Sequence, residues 1–362
     1  MTIASEVLEI ARFAPSGDNS QPWRFVLRSA SDVDVYGYDT REHCVYDLDG
    51  WASELSHGAL LETIAIAATQ VGARASIELP TDAGRPRRYV VRLAADASVR
   101  PDPLANVIIR RTVQRRSMRP RPLASEIRAE LERAARPFRI SWFESARARK
   151  RIAAINAGNA RIRLTIPEAY AVHREVIQWN ATTSVDRMPD ASLGANFILL
   201  AIMRRAMSNW RRLDAMNRIA GTWLPQLALD FIPGLFCSAH VALVANRMPK
   251  TLADRIAAGR AVQRMWLTAT LLGLQIQPQY TPLVFARYAR EGRRFSRMDR
   301  AQRDAERIRA RLASVLGSDD ADQAVWLARI GPERSVPGRS LRLPLDVLTV
   351  AEPPSELPRL TA

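Results

Sequence analysis

The chain has 362 residues, 47% of them hydrophobic, which is enough to bury one large core or two ordinary ones. Its longest apolar run, Phe197 to Met203, ends at Arg204 and Arg205, well short of the roughly 20 residues a membrane span needs. Two cysteines and four histidines, all scattered, exclude a disulfide framework and give no metal-ligand spacing. The net charge of +16 is almost all arginine, since lysine occurs only at Lys150 and Lys250. Without interleaved aromatics, such charge reads first as a solvated surface, and only second as a nucleic-acid or anionic-membrane footprint. The N-terminus carries Glu6 and Glu9 and lacks a basic stretch followed by an apolar one, so the expected location is the cytoplasm.

In chain order, Val7, Ile10, Ala11 and Ala14 fall on one face of a helix. A run of turn formers follows, Pro15-Ser16-Gly17-Asp18-Asn19-Ser20-Gln21-Pro22-Trp23. Its prolines, glycine and aspartate favour a tight turn with unpaired backbone N–H groups, and Ser16, Asn19 and Gln21 add short donors and acceptors. That loop suits a flat ligand with polar edges. Strands are expected at Arg24 to Leu27, Val33 to Tyr36 and Tyr89 to Leu93. Between them His57 to Gly72, small and apolar on most sides, reads as a buried helix capped by Ser56 and stopped by Gly72. Arg100-Pro101-Asp102-Pro103 marks a boundary.

Arg110, Arg111, Thr112, Arg115, Arg116, Ser117 and Arg119 then crowd together before Pro120 and Pro122. Guanidinium forks with hydroxyls can grip a phosphate, because each fork donates two parallel bonds; a solvated charge run is the plainer reading. Helices are expected over 126–135, 146–163 and 167–180, with Pro167 suited to a first helical position. From Asn196 to Ile219, Phe197, Met203, Met207 and Trp210 fit either ordinary core at helical spacing or an adaptable pocket wall. Ser238 to Val244 reads as a strand buried on both faces, and its His240 as a satisfied core residue rather than a catalytic base. Ala257 to Leu274 echoes the helix at His57 to Gly72, as though one unit were duplicated. A charged helix near Asp299 to Leu316 and a strand at Ala324 to Gly331 complete the chain before Pro337-Gly338-Arg339-Ser340.

Pro15-Ser16-Gly17-x-Asn19-Ser20-Gln21-Pro22-Trp23 resembles the signature loop of the nitroreductase family, flavin mononucleotide (FMN) oxidoreductases built as intertwined dimers. Arg115-Arg116-Ser117-x-Arg119 is similar to that family's phosphate-holding element, with Arg111-Thr112 as a competing register. The helix ending at Gly273-Leu274 resembles the family's dimer-core helix and the turn facing the flavin, and Gly338-Arg339-Ser340 resembles its C-terminal phosphate arm.

The loop occurs only in the first quarter and the other elements only afterwards, so the resemblance implies two fused half-units, 1–100 and 103–350, with 351–362 as a tail. The implied fold is α+β, a mixed sheet covered by helices. The implied cofactor is FMN, contacted by Pro15, Ser16, Gly17, Asn19, Gln21, Arg111, Arg115, Arg116, Ser117, Arg119, Gly273, Leu274 and Arg339. NADH or NADPH would deliver hydride, and a nitro, quinone or other small acceptor would receive it with no catalytic side chain of the protein required. If Asn196 to Ile219 forms a lid, the chain would instead sequester FMN. The pseudo-dimer would be a monomer or pair further, and nucleic-acid binding is the remaining reading.

Overall fold

The computed structural model describes residues 2–82, 84–332 and 334–357. An amphipathic first helix, α1 (Ile3–Ala11), buries Ala4, Val7, Leu8 and Ala11. It leads through the Pro15 to Pro22 loop into strands β1 (Trp23–Leu27) and β2 (Asp32–Gly37). Helix α2 (Trp51–Gln70) follows, and then β3 (Ala73–Glu78) and β4 (Arg87–Ala95). The four strands form one antiparallel sheet in the order β1-β2-β4-β3. Its inner face packs Trp23, Phe25, Val35 and Tyr89 against α1 and against Leu60, Leu61 and Ile64 of α2.

Helix α2 is capped at Gly50, six residues before the expected Ser56 cap. Gly50, at φ 76°, turns the chain into it. Buried Asp47 then takes the capping role, accepting from the N–H groups of Ala52 (2.7 Å) and Ser53 (3.2 Å).

The second half begins with α3 (Ser125–Ala134), β5 (Arg139–Phe143), α4 (Ala146–Thr165) and α5 (Pro167–Val176). Helices α6 (Phe197–Ala206) and α7 (Trp210–Ala220) and an irregular helical stretch through Leu235 precede β6 (Ala239–Val244). Then come α8 (Leu252–Leu271), β7 (Leu274–Pro278), α9 (Thr281–Arg290), α10 (Asp299–Leu316) and β8 (Ala324–Pro332).

The second sheet is also antiparallel, ordered β7-β8-β6-β5. Strand β6 is buried along its whole length, as its continuous small and apolar run predicts. Val241 and Leu243 face α8, while Ala242 and Val244 face α4, α9 and α10. His240 sits in this core, its ring nitrogens 2.8 Å from Gln279 Oε1 and 2.8 Å from the Gly234 carbonyl, and burial lowers its pKa to about 4. It is satisfied and closed to solvent, so it is no acid or base for a ligand.

The two 20-residue helices α2 and α8 lie against each other at the centre. They meet at Gly58 and Gly259. A Cβ on Gly259 would fall 2.0 Å from the Leu55 carbonyl oxygen, and one on Gly58 would fall 2.3 Å from that of Ile256, so only glycine allows this approach. Gln263 donates to Thr63 (2.9 Å) beside the crossing, and Arg260 and Arg264 clasp Glu62 at 2.8 and 2.6 Å. The C-terminal segment returns to the first half: Thr349 pairs with Phe25 of β1, and Leu348 is fully buried in the first core. No helix among the described residues is long and apolar enough to cross a membrane.

Candidate cofactor site

A cavity of about 880 Å³ opens beside the central helices, at the large end of the range that small-molecule sites occupy. Helix α8 supplies an apolar floor through Val262 and Trp266. The loop from Pro15 to Pro22 makes one wall, and the segment Arg111 to Val113 with Arg115 makes another.

The loop owes its shape to three non-glycine residues with positive φ, Asp18 (51°), Asn19 (65°) and Gln21 (45°). That conformation is uncommon outside glycine and suggests a site that over-determines the backbone. Side chains hold it. Ser16 Oγ accepts from the Gln21 N–H at 2.9 Å. The Gln21 amide donates to the Val185 carbonyl (2.8 Å) and accepts from the Leu343 N–H (2.9 Å), so this side chain staples the loop to two distant segments. Asn19 likewise donates to the carbonyls of Val185 and Arg187, but its buried Oδ1 has no partner.

At one end of the cavity Arg111, Arg339 and Arg342 gather. Arg111 is 6% exposed, donates to the Phe13 carbonyl at 3.1 Å, and lies 4.6 Å over the Trp266 ring. Its buried Nε has no partner. Arg342 donates to the carbonyls of Ala14 (2.9 Å) and Leu341 (2.6 Å). Burial, then Arg342 and Arg339, push the Arg111 pKa well down; burial, then Arg339 and Arg12, bring that of Arg342 down to about 9. No carboxylate among the described residues offsets either of them. Buried cations that repel one another and are held only by neutral carbonyls form a site for an anion.

The other end is polar but charge-balanced. Arg163 pairs with Asp230 at 2.7 Å, and Tyr46 Oη lies 2.9 Å from His173 Nε2. Burial raises the Asp18 pKa, and the nearby Arg115 and Arg163 oppose the shift. Met203 of α6, Met207 just past that helix and Leu229 also line the cavity.

The structure therefore sorts the residues expected from the sequence. Pro15, Ser16, Gly17, Asn19, Gln21, Arg111 and Arg115 line the cavity. Arg339 lies beside it, between Gly338 and Ser340 of the lining. Of the register Arg115, Ser117, Arg119 only Arg115 faces the cavity; Arg116 and Arg119 are exposed, and the Ser117 carbonyl accepts from Arg334. The cause is a clamp. The fully buried Arg329 guanidinium donates to the carbonyls of Gln114, Arg115 and Arg116, holding this segment extended with Gln114 and Met118 turned inward.

Gly273 and Leu274 also lie outside the lining. The cavity meets the opposite end of β7, at Gln277, Pro278 and Gln279, roughly 13 Å further on at about 3.3 Å per strand residue. Of the Asn196 to Ile219 stripe, only Met203 and Met207 line the cavity; Phe197 is 81% exposed, and Trp210 packs on Tyr170. The ordinary-core reading of that stripe holds only in part: Met207 packs half-buried against the second core, Met203 and Trp210 are half-buried, Phe197 is exposed, and no residue of α7 is buried. Sequence reasoning missed Arg342, three positions after Arg339 and detectable only as a further arginine in the tail. It also missed the Trp266 floor, hidden in an apolar helix.

No family profile and no curated protein matches the chain. Among solved structures, it is similar to a nitroreductase-like family protein from Bacillus cereus, at 13% identity and a TM-score of 0.35, over 68% of this chain and 94% of that one. It is similar also to the FMN-dependent nitroreductase NfnB from Mycobacterium smegmatis, solved in complex with NADPH, at 20% identity and a TM-score of 0.34, over 63% of this chain and 87% of that one. Likenesses of this size say nothing of function, which rests on the cavity.

Proposed function

We propose that the cavity binds FMN and that the protein is a flavin-dependent oxidoreductase of the nitroreductase type. The observation that carries this reading is the arginine cluster without carboxylates, Arg111, Arg339 and Arg342, set at the end of a cavity with an aromatic floor. A phosphate would answer the cluster's charge and the orphaned Arg111 Nε. A flat ring would suit the Trp266 floor and the positive-φ loop, where the Asn19 Oδ1 still lacks a donor.

Arg111 and Arg342 would hold the phosphate, with Arg339 adding field. The Pro15 to Gln21 loop would meet the polar edges of the ring, and Val262 and Trp266 would exclude water beneath it. The bound flavin would supply hydride acceptance from NADH or NADPH and donation to a small acceptor. No catalytic side chain is nominated.

The two halves 1–100 and 103–350 are read as fused subunits of a pseudo-dimer. In support, each half carries a four-stranded antiparallel sheet and a 20-residue helix, and those helices cross at glycines.

One observation favours a second reading. Met203, Met207 and Leu229 add an apolar, adaptable stretch to the cavity lining, which a cover over a stored flavin would use. Anaerobic addition of NADPH or NADH separates the two. Bleaching of a flavin spectrum by either nucleotide supports turnover, whereas bleaching by dithionite alone supports sequestration.

A further inference from the structure

The cavity uses one arginine cluster and leaves both the remaining positive charge and the outer face of α6 and α7 unexplained. Helix α6 is apolar on two sides. Met203, like Met207 just past the helix, lines the cavity and Ala206 is buried, while Phe197, Ile198 and Ile202 are 81%, 56% and 46% exposed. The same covering segment also exposes Ile219 (88%) and Trp223 (63%), together with Leu224 and Leu227. Seven large apolar side chains left exposed between residues 197 and 227 mark that segment as an interaction surface.

Charge narrows the partner. Between Phe197 and Leu227 stand five arginines (Arg204, Arg205, Arg211, Arg212 and Arg218) and one acid, Asp214, which pairs with Arg218 at 2.7 Å. A second copy of the chain would bring the same arginines face to face and set one net charge of +16 against another. A nucleic acid would pair with the guanidinium groups but leave Ile198, Ile202 and Ile219 in water, since aliphatic side chains offer no stacking face for bases. A layer with anionic headgroups over acyl chains satisfies both features, as interfacial helices with arginines beside Phe, Trp and Leu do. At 10 residues, α6 is about 15 Å long, so it would lie along such a layer without crossing it.

We propose that the outer face of α6, α7 and the Trp223 segment docks on the surface of an anionic lipid bilayer. The proposal stands whether or not the cavity holds a flavin. Its test is flotation of the full-length protein with phosphatidylcholine vesicles, with and without phosphatidylglycerol. The expected result is binding to the anionic vesicles that weakens as salt rises, with a blue shift of tryptophan emission that Trp223→Ser diminishes. The combined change Phe197→Ser, Ile202→Ser and Trp223→Ser should cost about tenfold or more in vesicle affinity while circular dichroism and thermal midpoint stay near those of the parent, because these side chains are exposed.

Failure to float with anionic vesicles would overturn the proposal, as would undiminished flotation of a folded triple variant. Light scattering that shows a dimer dissolved by the same three substitutions would also overturn it and assign the face to a second copy. Salt-sensitive binding of nucleic acid without vesicle binding would overturn it in favour of the arginines alone.

Discussion

Arg111 and Arg342 are held by main-chain oxygens, and this decides what they can bind. Carbonyls orient a guanidinium without cancelling its charge. Replacing Arg111 with alanine should weaken FMN binding about 10- to 100-fold, the equivalent of roughly 1.5–3 kcal/mol for bonds to a charged group. Fluorescence titration would measure it, and Arg119→Ala, altering a side chain turned to solvent, should leave the affinity unchanged. The pH dependence has a definite sign. With the Arg342 pKa lowered to about 9, this guanidinium is charged at neutral pH and loses its proton as pH rises through that value. FMN affinity should therefore hold below pH 9 and fall above it, by at most about tenfold per pH unit; affinity rising above pH 9 would contradict the assignment. At this scale the sequence was half legible. The loop residues could be read because turn chemistry is local. Which of residues 115–119 would face the cavity could not, because it depends on Arg329, more than 200 positions away, holding the carbonyls of residues 114–116.

The decisive contact between elements is the crossing of α2 and α8. Gly259→Val would drive a side chain into the Leu55 carbonyl and the Gly58 backbone. The expected cost is about 1–3 kcal/mol of stability or more, as for other overpacked sites. Thermal unfolding should show it. Because Val262 and Trp266 lie on the same helix, FMN affinity should fall as well. A substituted protein with unchanged midpoint and flavin content would remove this crossing from the account. Both central helices were visible in sequence as small, apolar runs ended by Gly72 and Gly273, and both glycines take the positive φ that such ends favour. Strands β3 and β5 were not visible. Their patterns, Ala-Arg-Ala-Ser-Ile-Glu and Arg-Ile-Ser-Trp-Phe, are short and half polar, and pairing with β4 and β6 makes them strands. The apolar stripe from Asn196 to Ile219 was legible in sequence, but not that Phe197 and all of α7 would bury so little of it.

Across the whole molecule, the C-terminal arm crosses back to β1, so 1–100 and 103–350 interlock instead of merely touching. Such a chain should unfold in one transition, and FMN should raise its midpoint because only the folded state has the cavity. Acid should lower that midpoint. Burial brings the pKa of His57 to about 4, His173 to about 3 and His240 to about 4. These rings stay neutral in the folded chain while an unfolded histidine gains a proton below about pH 6.5. Their stability is thus complete above that pH and is lost on descending toward pH 4, by up to ~1.4 kcal/mol per pH unit for each ring. A midpoint that stayed flat from neutral pH to pH 5 would show that the rings are open to protons.

The most direct test of the central claim is the FMN content per chain of the purified protein, before and after reconstitution, alongside Arg111→Ala with Arg342→Ala. One FMN per parent chain is expected, and little or none in the folded double variant. A parent chain that takes up no FMN even in excess, or a double variant that keeps a full complement, would contradict it.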